Sequence, residues 1–446
     1  MKVFMLGWEF PPYISGGLGT ACYGLTRGLD EAGVEVTFVL PTAVPLDAAS
    51  HVHFRTPATL MGDLPAGTVL TAEGFQRLTV RALPAMLQAY ATAGGFEQMI
   101  EQLRQQQNLG ALGIPGLTAL AGGGGGGGGR SFVGGSPGMY RGDLLTQIQY
   151  YASLAVELAK REQFDLVHAH DWMTYPAGLA VSAYTGKPLV VHLHSTEFDR
   201  SGEHVNQQVY DIERAGMHGA DRVICVSYLT RGIALRRYGV PAEKIEVVYN
   251  AVEHPDGGMG EPPPIARDEK IVLFLGRITM QKGPEYFLHA AKKVLEKFKK
   301  VRFVIAGSGD MTGQIVELSA ALGIGRHVTF TGFLRGDDVA RVFRMADLYV
   351  MPSVSEPFGI APLEALSHNV PVIISKQSGV SEVLTHVLKV DFWDVDEMAN
   401  KIIAVLRHPP LQRVLRQQGQ IELRRLSWRD SAEKCKEVYQ QLVGVA

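Results

Sequence analysis

Three cysteines are scattered through 446 residues, at Cys22, Cys225 and Cys435. They are odd in number, far apart and form no CxxC pair. That argues against a disulfide framework or a cysteine-built zinc site, and they read as small buried hydrophobes in a reducing compartment. Excess charge of one sign is also missing. The formal net charge is −2, which gives no general attraction to nucleic acid or to an anionic membrane. No stretch approaches the ~18 uninterrupted apolar residues of a membrane-crossing helix. The opening MKVFMLGWEFPP has an apolar run too short for a secretory leader and reads instead as a buried strand. The expectation is a cytoplasmic protein.

What is present is ordinary for a soluble enzyme: 46% hydrophobic and 20% charged residues. The length exceeds what one core supports, so two or more domains are expected. Short apolar runs alternate with amphipathic stretches, the pattern of parallel α/β layers. Candidate strands in the first half are Val3–Leu6, Glu35–Leu40, Leu166–His170, Leu189–His194, Arg222–Val226 and Glu246–Tyr249. In the second half they are Ile271–Leu275, Arg302–Ala306, Val328–Thr331, Leu348–Met351 and Val372–Ile374. The Pro/Gly-rich HPDGGMGEPPPIARD between the halves is a linker by composition. Two doubly wound domains facing a cleft follow. Glu285–Lys300 carries Phe287, Ala291, Val294, Leu295 and Phe298 on one stripe, a helix with its lysines on the solvated face. From about residue 84 to 138 the pattern breaks, and eight consecutive glycines follow Ala121. Such a run cannot hold a fixed backbone cheaply and reads as a flexible insertion.

In open parallel sheets ligands sit beyond the carboxyl ends of the strands, so the residues after each strand carry the argument. Gly16, Gly17 and Gly19 open a helix after the first strand and suit an anionic group at its N-terminus. His168 and His170 share one strand face, and His170 ends the strand where a ligand would sit. HLHS repeats the pattern with His192 and His194, but no third ligand is evident near the first pair, and no metal site is expected. In GRITMQKG, Arg277 offers a planar fork for phosphate oxygens and Lys282 a mobile charge. Gly307, in GSGD, could let a nucleoside approach closely. Asp337–Asp338 reads as a helix cap. In EPFGIAPLE, Pro357 and Gly359 hold Glu356 in a loop, while the helix starting near Gly359–Ile360 carries Glu364 about a turn in. The N–H groups of Gly359, Ile360 and Ala361 then face an anion or sugar hydroxyls, and the two carboxylates read as hydroxyl acceptors around a phosphate site.

In this order, GGLG, HAHDW, GRITMQKG, GSGD and EPFGIAPLE resemble the family-four retaining glycosyltransferases of the GT-B fold, particularly the glycogen (starch) synthases and their bacterial and archaeal relatives. The likeness covers nearly the whole chain except the insertion around the glycine run. The pair R-x4-K and E-x7-E is specific in combination.

The resemblance implies two Rossmann-like domains, residues 1–254 and 269–426, a linker at 255–268, and a final helix in 427–446 returning to the first domain. Ser427–Val443 fits that helix, with Trp428, Ala432, Cys435, Tyr439 and Leu442 on one stripe. It implies that Arg277 and Lys282 neutralise the donor diphosphate, Glu356 contacts the donor sugar, and Glu364 the ribose. Gly16 and Gly17 would approach the phosphates, His170 would lie near the anomeric centre, and Asn250 in VVYNAVE would match the loop near the hinge. The implied activity is transfer of glucose from ADP- or UDP-glucose to a glycan acceptor, with no cofactor or metal. Ile14 stands where bacterial ADP-glucose synthases carry a lysine, and Asn250-Ala251-Val252-Glu253 replaces the usual N-G-V-D, so donor and acceptor stay open. Other readings are a transferase using GDP-mannose or a UDP-sugar and a lipid or other glycan, a nucleotide-sugar epimerase, and a non-catalytic nucleotide-sugar binder.

Overall fold

The computed structural model describes residues 1–10, 16–42, 78–85, 144–252 and 269–444. The glycine run, Ile14 and the linker at 255–268 lie outside the described residues.

The first half contributes strands β1 (Lys2–Leu6), β2 (Glu35–Thr42), β3 (Leu78–Ala85), β4 (Leu166–His170), β5 (Leu189–Leu193), β6 (Arg222–Cys225) and β7 (Ile245–Val247). Its helices are α1 (Gly17–Glu31), α2 (Leu144–Ala159), α3 (Tyr175–Thr185), α4 (Glu197–Ser201), α5 (Gln207–Gly219) and α6 (Tyr228–Tyr238). The second half contributes β8 (Lys270–Leu275), β9 (Val301–Ala306), β10 (Val328–Gly332), β11 (Leu348–Met351), β12 (Val372–Ser375) and β13 (Leu388–Val390). Its helices are α7 (Pro284–Lys297), α8 (Thr312–Ala321), α9 (Asp337–Met345), α10 (Ala361–Ser367), α11 (Val380–Val383), α12 (Val395–Arg407), α13 (Pro409–Leu423) and α14 (Trp428–Val443).

The strands form two separate sheets, ordered β3-β2-β1-β4-β5-β6-β7 and β10-β9-β8-β11-β12-β13. Every pairing is parallel. In each sheet the strand order reverses beside its first strand, between β1 and β4 and between β8 and β11. Such switch points open a crevice at the carboxyl ends of the strands. The central strands β4, β5 and β11 are buried along their whole length, as sheets covered on both faces require.

Two strands, β3 and β13, depart from the sequence reading. β3 ends at Ala85, at the approximate start of the expected insertion, the rest of which lies outside the described residues. β13 is only LKV, too short to give a periodic signal. The helix expected over Glu285–Lys300 stops at Lys297, because Phe298 is already extended (φ −139°, ψ 104°). Asp337 and Asp338 lie in the first turn of α9 behind Gly336, where they complement the helix dipole without capping it.

Helix α14 belongs to the second half in sequence but packs on the first sheet. Ser427 caps it, its side chain accepting from the Asp430 N–H. Trp428, Ala432, Cys435, Val438 and Tyr439 join Ala21, Cys22, Leu25 and Leu29 of α1 in one buried cluster. Lys436 Nζ donates to the Ala32 carbonyl at 2.8 Å. The approach is close enough that a Cβ on Gly28 would lie 2.4 Å from the Trp428 carbonyl oxygen. Gly28→Val must push the two helices apart. The expected loss is about 1–3 kcal/mol in denaturant unfolding, and an unchanged midpoint would contradict this docking.

Candidate active site

The motif after β8 is built to place one cation in the crevice and one beside a carboxylate. Arg277 is exposed, and its side chain has no partner among the described residues. A 3-10 turn, Met280–Lys282, follows and is closed by Gly283 at φ +64°. A Cβ there would sit 2.3 Å from the Pro352 carbonyl oxygen, so this turn presses on the loop after β11. The contact brings Lys282 Nζ to 2.6 Å from Glu356 Oε2, with the two side chains 21% and 9% exposed. Ser353 Oγ donates to the same oxygen at 3.1 Å.

Glu356 is fixed at its backbone as well. Its N–H donates to the Gln377 carbonyl at 3.0 Å, and its carbonyl accepts from Gly379 at 2.9 Å. Gly359 turns the chain at φ +102°, where only glycine is unstrained. Helix α10 begins two residues later. The N–H groups of Gly359, Ile360 and Ala361 find no backbone acceptor among the described residues. Glu364 lies in the first turn. It is partly buried without a side-chain partner among the described residues, and burial pushes its pKa up to about 7.

The glycines fall into two kinds. Among the described residues a Cβ on Gly16 or Gly17 would meet nothing within 4 Å, and neither has a positive φ. Gly307 is different: at φ +139°, its Cβ would lie 1.9 Å from the Gly276 carbonyl oxygen. Its requirement is the interlock of the two loops after β8 and β9. Asn250 is buried beyond β7, where the chain leaves the first sheet.

His170 is buried at the carboxyl end of β4, at 0% exposure, and its Nε2 has no partner among the described residues. In the parallel register it pairs with His192, so His194 projects two residues farther toward the cleft. His170 Nδ1 is 2.9 Å from His194 Nε2, and His194 is only partly buried. Burial lowers both rings' pKa values, His194 to about 3, so both are neutral near pH 7.

Asp171 adds a group not singled out from sequence. It adopts φ +59°, and its Oδ1 accepts from the N–H of His194 at 2.7 Å and of Ser195 at 3.3 Å. Burial raises its pKa to about 7, against the pull of Arg200. The repeated HxH on two consecutive strands was the available signal for His194; backbone strain at Asp171 has none. Ring nitrogens of His168, His170 and His192 lie within 4.8 Å of one another, but the rings are stacked and nearly parallel, so their in-plane lone pairs cannot meet at one metal ion.

Family descriptions match the chain in three segments. "Starch synthase catalytic domain" covers residues 2–89, "Glycosyltransferase Family 4" covers 124–254, and "Glycosyl transferases group 1" covers 261–422. The chain is a glycosyltransferase of the GT-B fold.

This glycosyltransferase is 29% identical over 399 residues to an uncharacterised glycosyltransferase of Methanocaldococcus jannaschii, covering 86% of this chain and 83% of the relative. It is 23% identical to a glycogen synthase of Mycobacterium tuberculosis, covering 86% and 80%. An Anabaena protein solved with UDP and glucose superposes with a TM-score of 0.66 at 18% identity, over 99% of this chain and 100% of that one. Among the described residues no helix is long and apolar enough to cross a membrane.

The raised pKa of Glu364 generates a pH-dependent prediction. Its folded pKa of about 7 lies above the ordinary 4.5, so the native state favours the neutral form. The stability it contributes therefore falls as pH rises from 4.5 to about 7, and the cost persists above. Glu364→Gln should stabilise the ligand-free enzyme by about 1–3 kcal/mol at pH 8 and scarcely at pH 4.5. Urea midpoints at the two pH values check this, and an equal shift at both would contradict it.

Proposed function

We propose that this glycosyltransferase moves a hexosyl group, glucose, from a nucleoside diphosphate sugar to a glycan acceptor with retention of anomeric configuration. The observation that carries the reading is the Lys282–Glu356 pair, 2.6 Å apart, with Arg277, whose side chain is unpartnered among the described residues, in the same loop after β8. Cleavage at the anomeric carbon builds positive charge on the sugar and negative charge on the departing diphosphate. Fixed cations beside the leaving group lower that barrier. Arg277 and Lys282 take the diphosphate oxygens. Glu356 accepts from donor-sugar hydroxyls and Glu364 from the ribose, while Gly16 and Gly17 let the first domain's backbone approach the phosphates.

His194 presents its neutral ring to the sugar, with His170 behind it and Asp171 fixing the backbone. Among the described residues no side chain at the site pairs as nucleophile and base in the manner of covalent catalysis. The acceptor oxygen therefore attacks from the face the leaving group departs. The bond from anomeric carbon to phosphate oxygen breaks, the bond to the acceptor oxygen forms, and the acceptor proton passes to the leaving phosphate. Closure of the two domains excludes water and suppresses donor hydrolysis. The Mycobacterium glycogen synthase and the Anabaena complex with UDP and glucose support a glucose donor and a glucan acceptor.

The test is nucleotide release from ADP-glucose, UDP-glucose and GDP-mannose, each with and without glycogen. Release from one glucose donor, stimulated at least tenfold by glycogen, is the expected result. Release from GDP-mannose alone, or release indifferent to glycogen, would overturn the donor or the acceptor assignment.

A further inference from the structure

The loop from the end of β5 into α4 is held by carboxylates along its whole length. The amides of His194, Ser195, Thr196 and Glu197 follow one another, and each donates to an acid. His194 and Ser195 donate to Asp171 Oδ1 at 2.7 and 3.3 Å, Thr196 to Asp199 Oδ2 at 2.8 Å, and Glu197 to Glu213 Oε2 at 3.1 Å. All three acids are buried, at 0–7% exposure.

Arg200 closes the network. Its Nε donates to Glu197 Oε2 at 3.1 Å, and a terminal nitrogen donates to Glu213 Oε1. The Tyr238 hydroxyl of α6 also donates to Glu213. Glu197 Oε1 accepts from Ser201 Oγ at 2.6 Å and from the Asn206 N–H at 3.0 Å. Helix α4 has only five residues, too few to hold itself by its own hydrogen bonds. Buried ionic groups add little net stability compared with apolar packing. What a satisfied network of this kind secures is a fixed backbone path and a fixed direction for its side chains.

Asp199 is where this fixed loop reaches the other half of the chain. Its Oδ2 is taken up by the α4 cap, accepting from the N–H and Oγ1 of Thr196 at 2.8 and 2.7 Å. Its Oδ1 accepts from Ser355 Oγ at 2.5 Å, and Ser355 immediately precedes Glu356. The end of α4 also meets the turn that carries Lys282: a Cβ on Gly202 would lie 3.9 Å from the Met280 methyl.

We propose that Asp199 is a positioning residue for sugar transfer, which through Ser355 sets Glu356 of the second domain against His194 of the first. The inference rests on the transferase reading, in which these two groups meet the donor sugar from opposite domains. One rigid loop joins His194 to Asp199, and one hydrogen bond joins Asp199 to the residue beside Glu356. The separation of the two groups is thereby fixed across the cleft. A misplacement of about 1 Å at a reacting centre costs about a hundredfold in rate. Arg277 and Lys282 both belong to the second domain, so nucleotide binding does not need this bond. Asp199 acts on the rate of transfer and not on the affinity for the leaving nucleotide.

The test has two readouts, one of which needs no turnover. In the full-length protein, Asp199→Ala should quicken amide hydrogen exchange over residues 353–359 about tenfold, although the substitution lies in the other domain. An unchanged rate there would overturn the proposal. With whichever of ADP-glucose, UDP-glucose and GDP-mannose the wild type turns over, Ser355→Ala and Asp199→Ala should each lower kcat about tenfold or more, while donor KM and the affinity for the matching nucleoside diphosphate stay within about twofold. The double variant should fall no further than Asp199→Ala alone, because both act through one bond. Asp199→Asn, which still accepts from Thr196 and can donate to Ser355 Oγ, should keep most of the rate. A wild-type kcat in Ser355→Ala, an equal loss of nucleotide affinity, or additive losses would overturn the proposal. Should Asp199→Ala fail to fold, Ser355→Ala leaves the α4 cap intact and decides by the same kinetics and exchange. Should the wild type turn over no donor, the transferase reading fails while the exchange rates still decide this one.

Discussion

The ion pair between Lys282 and Glu356 is the contact on which the site depends. It joins the loop after β8 to the loop after β11, across the switch point of the second sheet. The turn carrying Lys282 needs glycine at 283 to pass the Pro352 carbonyl, and Glu356 is pinned between Gln377 and Gly379. Removing one partner would leave the other charge largely buried and unpaired, which costs more than the pair contributes. In the proposed reading, the pair holds a cation for the diphosphate and a carboxylate for the sugar hydroxyls.

The same loop is also held from the first half of the chain. Ser227, the cap of α6, donates to the Pro357 carbonyl at 2.6 Å. Ser355 donates to Asp199 of α4 at 2.5 Å. The Glu382 carboxylate accepts from Tyr228 N at 2.9 Å and Leu229 N at 2.8 Å, the free amides at the start of α6. The residues on either side of Glu356 thus touch the opposite domain. With α14 packed on α1, the second half grips the first at two places, and the geometry around Glu356 is coupled to how the domains meet.

Much of this was legible in the sequence, for physical reasons that differ by element. β4 and β11 fall on the expected residues because short apolar runs ended by polar loops admit one reading. The last helix was legible from its stripe, Trp428 through Tyr439, because a buried face repeats at the helical period. Lys282 and Glu356 lie 74 residues apart, and only their motifs hinted that they meet. β13 was missed because three residues of mixed character carry no period. The depth of His170 was not legible either. Both HxH segments end strands, and only the register between β4 and β5 decides which histidine lies nearer the cleft. Asp171 left no trace because a positive φ in a non-glycine residue has no sequence signature.

The account's central claim is that Lys282 and its neighbours are arranged for a diphosphate. Calorimetric titration of ADP and UDP against their monophosphates, into wild type and Lys282→Ala, tests it directly. The account predicts that the diphosphate bound by wild type loses at least tenfold in affinity, about 1.4 kcal/mol, while its monophosphate changes little. Equal losses for both, or no loss for the diphosphate, would place the leaving group elsewhere and contradict the account.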